Sequence, residues 1–82
     1  MKLKVYLFGI AKEIFGNRSV EIVVDDITHL TVTELKSILE KQKPALKEIG
    51  TYLIAANNDY AVNGYVLREN DEIAVIPPVS GG

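Results

Sequence analysis

One stretch of this chain repeats its apolar residues at helical spacing between a start signal and a stop signal, and it limits the folds available to the rest. Thr31 stands three residues before Glu34. At that spacing each side chain can satisfy the other residue's free backbone N–H, which marks a helix start. Val32, Leu35, Ile38 and Leu39, with Gln42 next in line, fall on one stripe, while Glu34, Lys36, Ser37, Glu40 and Lys41 face away from it. Pro44 disfavours helical geometry in the residue before it, so the helix should end near Gln42 or Lys43. A single apolar stripe needs a partner surface, and the flanking sequence offers strands.

Leu3, Val5 and Leu7 alternate with Lys2, Lys4 and Tyr6, the period-two pattern of a strand with one face on a core. Ile10 to Phe15 suits one or two helical turns before Gly16 and Asn17, which tolerate left-handed backbone. Ser19 to Val24 is a second strand, with Val20, Ile22 and Val24 on one face, and Asp25-Asp26 ends it. Beyond the helix, Tyr52 to Ala56 reads as a strand stopped by Asn57-Asn58-Asp59. Tyr60 to Val62 and Tyr65 to Leu67 are short strand candidates on either side of Asn63-Gly64. Ile73 and Val75 alternate with Glu72, Ala74 and Ile76 until Pro77-Pro78 removes the ladder donors.

Two strands, a helix and two to four shorter strands make an α+β mixed sheet with one main helix across one face. The ubiquitin-like β-grasp has this order and sets its first and last strands side by side in the sheet centre. A ferredoxin-like arrangement would need a second helix after the third strand, and residues 57 to 70 contain none. The expected organisation is a domain over 1–78 and a flexible tail over 79–82.

Composition narrows the function. Eighty-two residues suffice for one small domain. A chain this size buries only about 60 to 65% of its unfolded surface, so chemistry belongs at an edge and not in an interior cavity. The absence of cysteine removes disulfides, thiolate metal sites and a thiol nucleophile, and fits a reducing cytoplasm. A net charge of -2 argues against nucleic acid, and no apolar run approaches membrane-spanning length. His29 has no neighbouring ligand and reads as an exposed turn residue, so no metal site is expected. Glu69, Asp71 and Glu72 have two readings, a cation site or a solvated acidic turn. Lys41, Lys43 and Lys47 likewise suit an anion patch or complement to the helix dipole.

The end of the chain carries the chemical signal. Gly81 and Gly82 lack Cβ atoms and can enter a tunnel too narrow for other residues, while Pro77-Pro78 hold the backbone extended at about 3.1 Å per residue. An activating enzyme could convert the Gly82 carboxylate to an acyl-adenylate with ATP, and an incoming sulfur donor would displace AMP to leave a thiocarboxylate. On the adjacent central strands, alternation puts Tyr6, Phe8 and Ile76 on the same side as Lys4 and Glu72, an apolar patch beside the tail's base. Phe8 sits at a strand end, so it either displays its ring there for a partner or folds back into the core.

The segment Asp71-Glu72-Ile73-Ala74-Val75-Ile76-Pro77-Pro78-Val79-Ser80-Gly81-Gly82 resembles the close of the molybdopterin synthase small subunits, and Phe8 to Gly16 resembles their turn after the first strand. The chain departs from them at Gly9 and Ile10, where bacterial members often carry Ala and then a basic residue, and at Asn70, where Gly is usual. The resemblance implies a β-grasp sulfur carrier without a cofactor of its own. Gly82 would be adenylated and thiocarboxylated by an activating enzyme that uses ATP. Pro77, Pro78, Val79, Ser80 and Gly81 would thread into a large catalytic subunit, with Tyr6, Phe8, Lys12 and Ile76 as the interface. There Gly82 would donate sulfur to cyclic pyranopterin monophosphate, the pterin substrate in molybdenum cofactor biosynthesis, within a heterotetramer. Two other readings stay open. One is the same carrier chemistry for thiamin-type synthesis or for ubiquitin-like protein modification, and the other is a non-catalytic interaction module.

Overall fold

The computed structural model describes residues 1–25 and 30–78. The elements run β1 (Lys2–Leu7), α1 (Gly9–Phe15), β2 (Ser19–Val23), β3 (Leu30–Thr31), α2 (Val32–Gln42), a 3-10 helix (Pro44–Ile49), β4 (Leu53–Ala56), β5 (Asp59–Ala61), β6 (Val66–Leu67) and β7 (Glu72–Ile76). Five strands form one sheet in the order β2-β1-β7-β4-β5, and β3 pairs with β6 in a two-stranded sheet. β1 and β7 lie parallel at the centre, and the other neighbours are antiparallel. This is the expected α+β sheet with the first and last strands adjacent.

Strand register explains the two faces. Val5 stands opposite Ile73, which stands opposite Ala56, and Leu7 opposite Val75, which stands opposite Ile54. These residues, with Leu3 and Ile22, form buried rows against Val32, Leu35 and Leu39 of α2. Because side chains alternate across a strand, the same register sends Lys4, Tyr6, Glu72, Ala74, Ile76, Leu53 and Ala55 to the opposite, uncovered face.

The helix start is as the sequence predicts. Thr31 Oγ1 accepts from the Glu34 N–H at 3.2 Å, and the Thr31 N–H donates to Glu34 Oε1 at 2.9 Å. Gln42 is exposed and lies off the buried stripe. After Lys43 the chain does not become a plain loop. Pro44 starts a 3-10 helix whose Leu46 is fully buried and whose body packs on α1 and α2. Proline is tolerated there because the first N–H of a helical turn has no intrahelical partner.

Both strand candidates around Asn63-Gly64 are present with shifted bounds, and they pair with different partners: β5 extends the main sheet beside β4, whereas β6 joins β3. The hairpin turn is instead Asn57-Asn58, both at positive φ (52° and 74°), as a two-residue connection with right-handed strand twist requires. β2 also ends one residue early, at Val23. His29 and Asp26 lie outside the described residues.

Tyr52 caps the lower end of the core. It is almost fully buried, its hydroxyl donates to Glu40 Oε2 at 2.5 Å, and the Lys36 ammonium lies 5.2 Å from its ring centre. Burial, then the hydrogen bond to Glu40, then the Glu40 charge push this phenol well above its usual value of 10.0. The folded state therefore holds its proton more tightly than the unfolded chain, so the associated stability is complete below the unfolded value and declines as pH rises through and beyond it. Denaturant titrations from about pH 9 to about 11 should show stability falling faster in the wild type than in Tyr52→Phe. In the same assay at neutral pH, Thr31→Ala should cost about 1 kcal/mol by removing half of the capping box.

Candidate functional site

The uncovered sheet face holds a groove of about 420 Å³ lined by Tyr6, Phe8, Ala55, Asn58, Tyr60, Glu72, Ile73, Ala74 and Ile76. Its cross-section follows from one row of paired residues. Ser19, Tyr6, Ala74, Ala55 and Tyr60 stand in register across all five strands. Two alanines in the middle and a tyrosine on either side give a shallow floor with aromatic walls. One row along, Ile76 pairs with the exposed Leu53 and extends the apolar surface toward the end of β7.

Phe8 is 51% exposed and does not fold back into the core. The cause is local. Phe8 is the N-cap residue of α1, with extended backbone, and its carbonyl accepts from Ala11 N–H at 3.1 Å and Lys12 N–H at 3.4 Å. The chain leaves β1 there and turns into α1, which buries Ala11 and Phe15 and leaves the Phe8 ring on the open face.

The β4–β5 hairpin that carries Asn58 and Tyr60 is tied to the start of β7. Asn57 donates its backbone N–H to Glu72 O at 2.8 Å, its Oδ1 accepts from Glu72 N–H at 3.0 Å, and its Nδ2 donates to Asp71 Oδ1 at 3.1 Å. Asp71 Oδ2 also accepts from the Arg68 N–H at 2.9 Å. These contacts show how the acidic turn is held. Asp71 is occupied as a turn residue, and Glu69 accepts from the Lys2 N–H at 3.3 Å.

Pro77 and Pro78 directly follow the groove's edge at Ile76. Pro77 is half-buried, and a Cβ added to Gly9, whose φ is +53°, would stand 3.1 Å from Pro77 Cγ. Gly9 thus lets the end of β7 pass close over the start of α1. The structure brings Tyr6, Phe8 and Ile76 together on one surface beside these prolines. Lys12 lies on α1, exposed and not among the groove's lining residues. Val79, Ser80, Gly81 and Gly82 lie outside the described residues. Sequence reasoning missed Ala55, Asn58, Tyr60 and Leu53. Strand alternation would have put Ala55 on this face, but the pairing of β5 with β4 was needed to bring Tyr60 beside it. No described helix is long and apolar enough to cross a membrane.

Fold and surface together define a ubiquitin-like β-grasp domain with an open apolar groove beside the end of its last strand. Residues 5–82 match the ThiS family, and the chain belongs to it. It is 36% identical over 85 residues to the molybdopterin synthase sulfur carrier subunit of Caenorhabditis briggsae, covering 100% of this chain and 99% of the relative. It is similar to the crystal structure of small archaeal modifier protein 1 of Haloferax volcanii, with a TM-score of 0.81 and 26% identity over 95% of this chain and 98% of that one. It also resembles a chain in the complex of subunits 1 and 2 of the molybdopterin-converting factor from Helicobacter pylori, with a TM-score of 0.68, 28% identity and 100% coverage of both.

The exposed groove should contribute little to folding. Phe8→Ala should change stability by less than about 1 kcal/mol, against about 2 to 5 kcal/mol for Ile73→Ala in the core, as read by urea denaturation.

Proposed function

We propose that this chain is the sulfur carrier subunit of a molybdopterin synthase. The observation that carries the reading is the position of the apolar groove at the root of residues 77–82: a protein that docks on Tyr6, Phe8 and Ile76 takes up the tail in the same event. Names borne by similar proteins support it, among them the Caenorhabditis briggsae carrier subunit and the Helicobacter pylori subunit complex.

On this reading residues 79–82 form a flexible arm on the 1–78 domain, and Val79, Ser80 and Gly81 thread a tunnel in the partner. An activating enzyme docks first. The Gly82 carboxylate oxygen attacks the α-phosphorus of ATP and pyrophosphate leaves. A sulfur donor then attacks the acyl carbon and AMP leaves, giving the thiocarboxylate. This sulfur is a better nucleophile than the carboxylate oxygen, and the side-chain-free glycine keeps the acyl carbon open to each attack. The charged carrier next docks on the large subunit, where its sulfur bonds to a side-chain carbon of cyclic pyranopterin monophosphate and displaces an oxygen group from it, so that carrier and pterin are joined through an acyl–sulfur bond. Water cleaves the remaining acyl bond and restores the Gly82 carboxylate, and a second carrier supplies the second dithiolene sulfur. The working assembly is a heterotetramer in the cytoplasm, in which Lys12 adds a charged contact outside the groove.

The similarity to small archaeal modifier protein 1 favours a second reading, in which the activated Gly82 is transferred to lysine amines of other proteins. The acceptor separates the two.

Incubation with the activating enzyme, ATP and a sulfur source, followed by intact-mass analysis, should show one oxygen replaced by sulfur at Gly82. Deleting Gly82 should abolish both this replacement and pterin conversion by the large subunit while leaving the circular dichroism spectrum unchanged. Pterin conversion at the wild-type rate by the truncated chain would refute the proposal, and lysine adducts without pterin conversion would select the second reading.

A further inference from the structure

We propose that Asn63 is a site of covalent self-modification, in which the backbone nitrogen of Gly64 attacks the Asn63 side-chain amide and displaces ammonia. Both residues are exposed and occupy the middle of a turn closed by the Tyr65 N–H donating to Val62 O at 2.9 Å. Glycine puts no side chain beside the attacking nitrogen, and, its two chain neighbours aside, nothing stands within 4 Å of the place a Cβ on Gly64 would occupy. Asn63 Oδ1 accepts from Lys36 Nζ at 3.3 Å. A cation on the amide oxygen draws electron density from Cγ, the carbon under attack.

The chemistry needs only water. As the Gly64 nitrogen bonds to Asn63 Cγ, it gives up its proton to solvent. The tetrahedral adduct takes a proton on Nδ2 and breaks the Cγ–Nδ2 bond, releasing ammonia and leaving a five-membered succinimide. Water then adds to one of the two ring carbonyls and the ring C–N bond opens. Opening at the main-chain carbonyl gives an isoaspartyl link that runs through Cβ and Cγ, and opening at the side-chain carbonyl gives ordinary aspartate. One water is consumed, one ammonia is released, and nothing is oxidised or reduced.

The other asparagines are set against this reaction. Asn17, Asn57, Asn58 and Asn70 are followed by Arg18, Asn58, Asp59 and Asp71, each of which puts a side chain next to the attacking nitrogen. Asn57 is further restrained because both ends of its amide are hydrogen-bonded.

The two products differ in consequence. The Asn63 carbonyl accepts from the Thr33 N–H and from Thr33 Oγ1, both at 3.1 Å, and so ties this turn to the first turn of α2. Aspartate leaves the main chain unchanged and gives Lys36 an ion-pair partner. The isoaspartyl product adds a methylene to the main chain, displaces that carbonyl and releases the Thr33 N–H, so it loosens the start of the helix whose Leu35 and Leu39 fill the core.

The test is timed incubation of the intact chain in warm, mildly alkaline buffer, followed by peptide mapping and labelling with an isoaspartate-specific methyltransferase. Conversion should appear at Asn63 before any other asparagine, and Gly64→Ala, which has room for its methyl group, should slow it at least several-fold. A free peptide of residues 60–68 provides the clock. No conversion at Asn63 by the time the peptide has fully converted, earlier conversion at another asparagine, or an unchanged rate in Gly64→Ala would each overturn the proposal.

Discussion

The parallel pairing of β1 with β7 is the constraint on which the rest depends. It joins the two ends of the described chain in the sheet centre, in the register Val5 to Ile73 and Leu7 to Val75. With side chains alternating, that one register decides which residues meet α2 and which are left uncovered. A slip of β7 by one residue would turn Ile73 and Val75 outward and bring Ala74 and Ile76 toward the core. It also determines where β7 ends, beside the point where β1 passes into α1. The contact between Gly9 and Pro77 lies at that junction.

The open face is therefore the complement of the core and required no separate construction. Core packing asks that Leu3, Val5, Leu7, Ile73 and Val75 point to one side. The residues between them then face solvent, where they can be chosen for a partner with little effect on folding. Ala74 and Ala55 leave a trough between Tyr6 and Tyr60, and an exposed apolar trough with aromatic walls is the kind of surface that aromatic and aliphatic anchors of another protein fill.

Much of this was legible in the sequence, because the strongest signals were local. Thr31 and Glu34 marked the helix start, alternation marked β1 and β7, and Pro77 marked the end of β7. What sequence reasoning missed depended on distant pairing. Asn63-Gly64 has the look of a hairpin turn, yet Asn57-Asn58 makes the hairpin, because Asn57 also bridges to Asp71 and Glu72 fourteen and fifteen residues away in sequence. Leu30–Thr31 is too short for any periodic pattern and is a strand only because Val66–Leu67 lies beside it. Leu46 was passed over because the proline that ends α2 also starts the next helical turn. Phe8 could not be assigned to core or surface until the turn into α1 was known.

The account's central claim is that the open face receives the partner that uses Gly82. Its most direct measurement is calorimetric binding of the molybdopterin synthase large subunit from the same organism to the wild type and to Ala55→Arg, which fills the groove floor from an outward-facing position. The account predicts that binding weakens by more than about 30-fold, equivalent to about 2 kcal/mol, while thermal stability is retained. Equal affinity for both proteins would contradict it.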